Sequence, residues 1–341
     1  MKRHEGLVAR YLDQLERDID DAGVQWGGPL ETLYLGGGTP SHLTDDELTR
    51  LMRAITRNFD LSAAEEITLE ADPGTFDAER AEWFKNLGIT RLSVGVQSTQ
   101  SRPLATLGRT HTPEGALAAI GFAQTAGLDV NADLMTAAPH QDAGLDAETL
   151  VATGVHHLSV YTLTIEPDTP FALRGMTVAE DRAQADDRAV REVLHEAGFE
   201  RYEVSNWAKP GAEAVHNRRY WTGDAYLGLG PSAASLLPGG SHGVRQTVPT
   251  IKGWLAGETP EALPRTAQDA QFEALMTGLR TREGVDLAAL EAATGASLPG
   301  FWEARLNEDQ RAGRIHREGS TVRATDAGLD LLNALLERYV P

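Results

Sequence analysis

"TLYLGGGTPSHLTDDELTRLMRAITRNF" (residues 32–59) reads as one complete βα unit. An apolar strand-like run, "TLYLGG", enters three consecutive glycines, Gly36 to Gly38, and is followed by Thr39-Pro40 and an amphipathic helix. Thr44 and Glu47 have the T-x-x-E spacing of a capping box, in which each side chain takes the other's backbone N–H. The pattern repeats outward to about Glu200. Strand-like runs "EITLEAD", "ITRLSVGVQS", "LDVNADLMT" and "HHLSVYTLTI" are separated by helical stretches "DAERAEWFKNLG", "TPEGALAAIGFAQTAGL", "DAETLVATG" and "AEDRAQADDRAVREVLHEAG". Strands alternating with helices of this length predict βαβ units around a parallel sheet. The unbroken series favours a closed or partly closed barrel over an open doubly wound sheet. Punctuation agrees: Pro113 stands at a first helical position behind Thr112, and Gly88 and Gly127 follow helix ends.

The rhythm changes after residue 201. Residues 1–200 are expected to form the barrel part, and 201–255, rich in Gly, Asn and aromatics, a loop layer associated with it. "AGETPEALPRT" (256–266) reads as a linker. Residues 267–341 read as a small, mostly helical module with a short hairpin near "STVRATDAG", in the manner of a winged helix.

Composition bounds the function. A formal net charge of −19 argues against a broad nucleic-acid or acidic-membrane surface, while leaving room for an anionic ligand in a local basic pocket. No apolar run is long enough to span a bilayer. The N-terminal stretch repeats Leu7, Val8, Tyr11, Leu12, Leu15 and Ile19 at helical spacing and is not a secretory signal. A cytoplasmic location is expected. The chain has no cysteine, so it can form neither a disulfide, nor a thiolate metal site, nor a cysteine nucleophile.

Several polar residues fall at the carboxyl ends of the strands, the rim that carries the ligand in α/β barrels. Gly36-Gly37-Gly38 either admits a ligand to the backbone, with no Cβ in the way, or only makes a tight strand-to-helix turn. Glu70 can accept hydrogen bonds from hydroxyl or amino groups. Asp72, before Pro73-Gly74, reads better as the start of an Asx turn. Gln97 can read a base or ribose, or satisfy loop backbone. Arg109 can clamp a carboxylate or make a surface ion pair. Asp133 lies inside an apolar strand, where a lone charge is costly, so it faces a polar cavity or pairs with a cation such as Arg109. In "HNRRYW", His216 beside Tyr220 and Trp221 has the makings of an axial heme ligand with an aromatic wall, although lone histidines are more often structural. His156 and His157 are adjacent in a strand, face opposite ways, and are not a metal pair.

Taken in order, "LYLGGGTPSHL", "LEADPGTF", "ITRLSVGVQS", "LGRTHT", "NADLM", "YTLTIEPDTP", "YEVSNWAKPG", "HNRRYW" and "YLGLGPSAAS" resemble the HemW/HemN family of radical S-adenosylmethionine proteins. That family joins heme chaperones to oxygen-independent coproporphyrinogen III oxidases. The likeness runs from about residue 4 to the C-terminus, and "LMTGLRTREGVDLAALEAATG" is similar to the family's C-terminal domain. It implies that Gly37, Gly38 and Thr39 hold S-adenosylmethionine through the backbone, with Glu70, Gln97, Arg109 and Asp133 as polar contacts. It also implies that His216, Asn217, Tyr220 and Trp221 meet heme, for transfer to an acceptor protein. The heme motif leans towards a chaperone. The alternatives are an oxidase of porphyrin synthesis and a degenerate module that binds without chemistry.

The same family places a C-x-x-x-C-x-x-C motif after its first barrel strand to hold a [4Fe–4S] cluster. Here "MKRHEGLVARYLDQL" aligns with the helix after that motif, so the strand and its cysteines are missing. A chain cut short of its natural start is the favoured expectation, over a natural cluster-free relative. DNA upstream of Met1 decides between them. The loss is expected to leave Thr32–Gly36 as an unpaired sheet edge.

Overall fold

The computed structural model describes residues 4–340, which group into two compact units. One comprises residues 30–52 and 61–214; the other gathers the N-terminal segment to Pro29, residues 53–60 and the chain from Val215 onward. Among the described residues no helix is long and apolar enough to cross a membrane.

The first unit is built on a seven-stranded sheet. Its strands are β1 (Thr32–Leu35), β2 (Glu66–Ala71), β3 (Arg91–Gln97), β4 (Asp129–Thr136), β5 (His157–Thr162), β6 (Glu200–Arg201) and β7 (Asn206–Ala208), in the order β1-β2-β3-β4-β5-β7-β6. The first five are parallel, and β7 runs antiparallel to both β5 and β6. Among the described residues β1 pairs on one side only, the expected sheet edge. Crossover helices Asp45–Asn58, Ala78–Asn86, Pro113–Thr125 and Ala143–Ala152 link the parallel strands, as the sequence predicts. Their caps form as read. Thr44 N–H donates to Glu47 Oε2 at 2.8 Å and Glu47 N–H to Thr44 Oγ1 at 3.3 Å. Thr112 Oγ1 accepts from Gly115 N–H at 3.1 Å.

The pleat sorts the strands into two chemistries. Ile67, Leu69, Leu92, Val94, Ala132, Leu134 and Leu158 are buried and apolar. The alternate positions are polar: Tyr34, Glu66, Thr68, Glu70, Arg91, Ser93, Asn131, Asp133, His157, Ser159 and Tyr161. Many of these bond to one another across strands, so they share one face, while the apolar set lies on the other.

In the second unit, helix α1 (Glu5–Trp26) is amphipathic, and buries Leu12, Leu15, Ile19 and Ala22. Asp18 accepts from the Trp254 indole at 2.6 Å. "HNRRYW" lies on a helix, α2 (Val215–Thr222). A three-stranded antiparallel sheet follows, of β8 (Ala234–Leu237), β9 (Val244–Thr247) and β10 (Glu261–Pro264). Residues 261–264, inside the stretch expected to be a linker, are thus a paired strand. The C-terminal part has helices α3 (Ala267–Gly278), α4 (Leu287–Thr294) and α5 (Trp302–Arg311), then a hairpin of Ile315–Glu318 with Thr321–Ala324, and two short helices. Its core holds Asp309, which is fully buried and bonded to Tyr339 Oη–H at 2.7 Å and Arg314 Nη1–H at 2.8 Å.

Candidate functional site

The three glycines after β1 are there for three different reasons. A Cβ on Gly36 would sit 2.4 Å from Tyr34 Cε1 and 2.8 Å from Glu70 Oε1, so that position excludes a side chain sterically. Gly37 has φ of +108°, a conformation that side chains rarely adopt. Gly38 has neither constraint: a Cβ there would meet nothing within 4 Å. Its backbone lies open. Thr39 follows in the left-handed region, with φ of 73°.

Glu70, at the end of β2, organises this turn. Its Oε1 accepts from Tyr34 Oη–H at 2.7 Å and its Oε2 from Gly37 N–H at 2.9 Å. Burial and the adjacent Glu70 carboxylate push the Tyr34 phenol up, so it stays a donor. One layer out, Arg80 donates to Ser41 O at 2.8 Å and Asp45 Oδ1 at 2.9 Å, and also to Thr75 O and Leu43 O. Ser41 Oγ accepts from Asp72 N–H at 3.2 Å and Thr75 Oγ1–H at 2.7 Å. The glycine turn and the turn after β2 are therefore tied together by side chains.

Asp72 makes the expected Asx turn, accepting from Gly74 N–H at 3.1 Å. It has a second role that the sequence did not suggest. His111 Nδ1 lies 3.8 Å from one Asp72 oxygen and Arg109 Nη1 lies 4.0 Å from the other. His111, the Gly74 amide and Arg109 hold the Asp72 carboxyl below the usual carboxylate range, against the effect of burial. At 3.8 Å the histidine contact is electrostatic and not a hydrogen bond. His111 Nδ1 is a buried nitrogen with no hydrogen-bond partner, while its Nε2 is bonded to Val96 O at 3.0 Å.

Asp133 does not pair with Arg109, which stands beside Asp72 instead. Asp133 Oδ1 accepts from Asn131 Nδ2–H at 2.8 Å and Ser93 Oγ–H at 3.2 Å. Burial, with the nearby Glu70 charge adding to it, pushes its carboxyl up to about 7, against the pull of these donors. Tyr161 on β5 feels the same field, and burial with Asp133 raises it to about 12. Glu70, Asp133, Tyr34 and Tyr161 thus form one electrostatically coupled polar set on this face. Gln97 is buried, in the left-handed region with φ of 66°, where a bulge interrupts the β3–β4 ladder. Its Nε2 lies 3.1 Å from where a Cβ on Gly95 would be, so its side chain folds back over that glycine.

The second group of candidates lies on α2. His216 Nε2 meets Tyr220 Oη at 2.8 Å, and the rings stand edge to face at 5.1 Å. Tyr220 packs edge to face on Tyr226 at 4.7 Å, and Tyr226 Oη accepts from Arg245 Nη1–H at 2.7 Å. Arg245 is itself held by Glu273 at 2.7 Å. Trp221 Nε1 is a buried donor with no partner. Asn217 is on the same helix, next to His216. Of the adjacent histidines, His157 opens β5 and is buried, while His156 lies just before the strand and is exposed.

Two cofactors implied by the family resemblance fare differently here. An iron–sulfur cluster has no ligands: these 341 residues contain no cysteine, and no group of three or more metal-binding side chains occurs among the described residues. A ligand with amino, carboxylate and hydroxyl groups does fit the strand ends. Open backbone at Gly38, and Asp133 Oδ2 with its long contact from Ser93 at 3.4 Å, give it somewhere to bond.

Comparison with known proteins agrees with this architecture. Residues 2–145 match the Radical SAM superfamily, and residues 266–331 match the HemN C-terminal domain. A heme chaperone HemW from Escherichia coli K12 is 32% identical over 99% of this chain and 90% of its own length. One from a Synechocystis species is 36% identical over 84% of this chain and 73% of its own. Among solved structures, the coproporphyrinogen III oxidase HemN from Escherichia coli, described as a radical SAM enzyme, superposes with a TM-score of 0.84. It is 19% identical, over 99% of this chain and 84% of that one, and so speaks for the fold.

Proposed function

The chain belongs to the HemW family of radical SAM proteins, and from that premise we propose that it is a heme chaperone that binds heme and S-adenosylmethionine and passes heme to an acceptor protein. The observation carrying this reading is similarity over nearly the whole chain, at 32% identity, to a protein named heme chaperone HemW. In it, the exposed helix α2 is the heme site. His216 would ligate the heme iron, Tyr220 and Trp221 would give the aromatic wall, and Asn217 would be a polar neighbour. His216 Nε2 is engaged by Tyr220 Oη, so coordination through that nitrogen exchanges one hydrogen bond for a metal bond.

S-adenosylmethionine is held at the strand ends of the parallel sheet. Gly37, Gly38 and Thr39 offer backbone, and Gln97 and Asp133 offer side chains. Glu70 acts mainly by shaping the glycine turn, because both its oxygens are already bonded there. Arg109, beside Asp72, attracts the ligand's carboxylate. When bound, S-adenosylmethionine brings a sulfonium and a methionyl group. The residues of this chain bind and orient them, and no radical step is assigned to these residues.

A heme titration followed by absorbance tests the reading. Stoichiometric binding with a Soret shift, lost in His216→Ala, is the expected result. Binding unchanged in that variant refutes the assignment. Turnover of coproporphyrinogen without heme binding would favour an oxidase, the reading that likeness of fold to HemN keeps in play.

A further inference from the structure

Behind Asp133 a chain of buried hydrogen bonds crosses three strands. His157 Nδ1 lies 2.6 Å from Asn131 Oδ1, and His157 Nε2 lies 2.9 Å from Tyr202 Oη. Asn131 Nδ2 reaches Asp133 Oδ1 at 2.8 Å, Ser93 Oγ at 2.6 Å and Ser159 Oγ at 3.0 Å. All except Asp133 are buried.

The donors can be assigned by elimination. An ionised Asp133 only accepts, so the Asn131 amide must turn its NH2 group to it. Asn131 Oδ1 then faces Ser159 Oγ–H at 3.2 Å and His157 Nδ1 at 2.6 Å, and so short a contact to a carbonyl oxygen fixes the proton on His157 Nδ1. Burial, with Arg91 nearby, holds the His157 ring well below its ordinary range, so it is neutral and Nε2 accepts from Tyr202. Every bond therefore points one way: Tyr202 to His157, His157 to Asn131, Asn131 to Asp133 Oδ1. Ser93 adds a second donor to the same oxygen.

With Oδ1 taken by two donors, a proton on Asp133 has to sit on Oδ2. We propose that Asn131, oriented by His157 and Tyr202, is a positioning residue that commits Asp133 Oδ2 to the ligand, so that the site accepts a ligand's hydrogen-bond donor only when Asp133 is ionised. The groups facing Asp133 are Tyr34 from β1, Glu70 from β2, Ser93 from β3, and Ser159 and Tyr161 from β5. Ionisation near neutrality then switches Oδ2 from donor to acceptor. The inference rests on the strand ends being the S-adenosylmethionine site.

The test has two arms on the full chain. In the first, carboxyl-13C aspartate labelling, with Asp133→Asn identifying the resonance, follows the titration of Asp133 by NMR. Asn131→Ala is expected to raise the midpoint by about one pH unit, because it removes a donor to the carboxylate. His157→Gln, which can still donate to Asn131, should keep it. A midpoint unmoved in Asn131→Ala overturns the proposal. In the second arm, calorimetry measures S-adenosylmethionine binding from pH 5.5 to 8.5. Affinity should fall about tenfold per pH unit below the midpoint, and this slope should vanish in Asp133→Asn. A slope retained in that variant overturns the switch. Absence of binding by the folded wild-type chain at every pH overturns the ligand assignment instead, and the NMR arm still judges the positioning role.

Discussion

Consider alanine placed in turn at Gly36 and Gly38, two residues apart. At Gly36 the new methyl overlaps Tyr34 and Glu70, at 2.4 and 2.8 Å, so both side chains must shift. Overpacking of this kind costs about 1–3 kcal/mol. Moving Glu70 also strains two hydrogen bonds to a charged group, of about 1.5–3 kcal/mol each when intact. Because that carboxylate is partly solvated, water recovers much of the loss. A net cost of about 2–4 kcal/mol is expected, or roughly 5–15 °C in Tm for a domain of this size. At Gly38 nothing stands within 4 Å and φ is unremarkable, so alanine should leave stability unchanged or raise it by about 0.4–1 kcal/mol through the unfolded chain. Its methyl nevertheless covers the open backbone, and S-adenosylmethionine affinity should drop at least about tenfold, the 1.4 kcal/mol of one good contact. Thermal unfolding by circular dichroism and binding by calorimetry read the two effects separately. Equal destabilisation in both variants, or undiminished affinity in Gly38→Ala, refutes the reasoning.

Other variants probe the remaining features. Asp133 has a raised folded-state midpoint, so the native state keeps a proton that the unfolded state sheds, and stability declines as pH rises from about 4 to about 7. Asp133→Asn should therefore be stabilising at pH 8, by about 1–2 kcal/mol after solvent screening, and neutral at pH 4; denaturant midpoints at the two values check this. Tyr220→Phe keeps the ring contact but removes the hydroxyl that meets His216 Nε2, and heme affinity should rise about 2- to 10-fold, the equivalent of one neutral hydrogen bond. A fall would mean that the hydroxyl contributes to the site. Asp309→Ala strips the buried partner from Arg314 and Tyr339 and should cost about 3–5 kcal/mol, measured by chemical denaturation.

The strands were legible because apolar periodicity and glycine punctuation both mark them. All five parallel strands lie where "TLYLGG" to "HHLSVYTLTI" put them, and Thr44, Asp72 and Thr112 cap as their spacing suggests. Partnerships were harder, because they depend on how strands are set side by side. Asp133 looked in need of a cation, yet its relief is Asn131 and Ser93 on the same face, and Arg109 goes to Asp72. His111 escaped notice as one residue of "LGRTHT". The polar face itself does leave a mark on the chain: Glu66-x-Thr68-x-Glu70, Arg91-x-Ser93, Asn131-x-Asp133 and His157-x-Ser159 are polar at every second position. Alternation shared by four neighbouring strands puts all those side chains on one side of the sheet. The helix carrying "HNRRYW" was obscured by its shortness, since eight residues give barely two turns of periodicity.

The division of these strands into two faces has an evolutionary consequence. Residue parity separates foldability from chemistry along a single strand. Substitutions at Leu92, Val94, Ala132 or Leu134 tax the fold and leave the polar face alone, whereas changes at Asp133 or Tyr161 alter the polar face at little cost to the core. The buried Glu66–Arg91 pair crosses that line, because losing one partner strands the other charge. Such a scaffold can drift in ligand preference while its core sequence stands still. A saturation scan sorted, strand by strand, by the face each position occupies should fall into two populations, one losing expression and one losing binding.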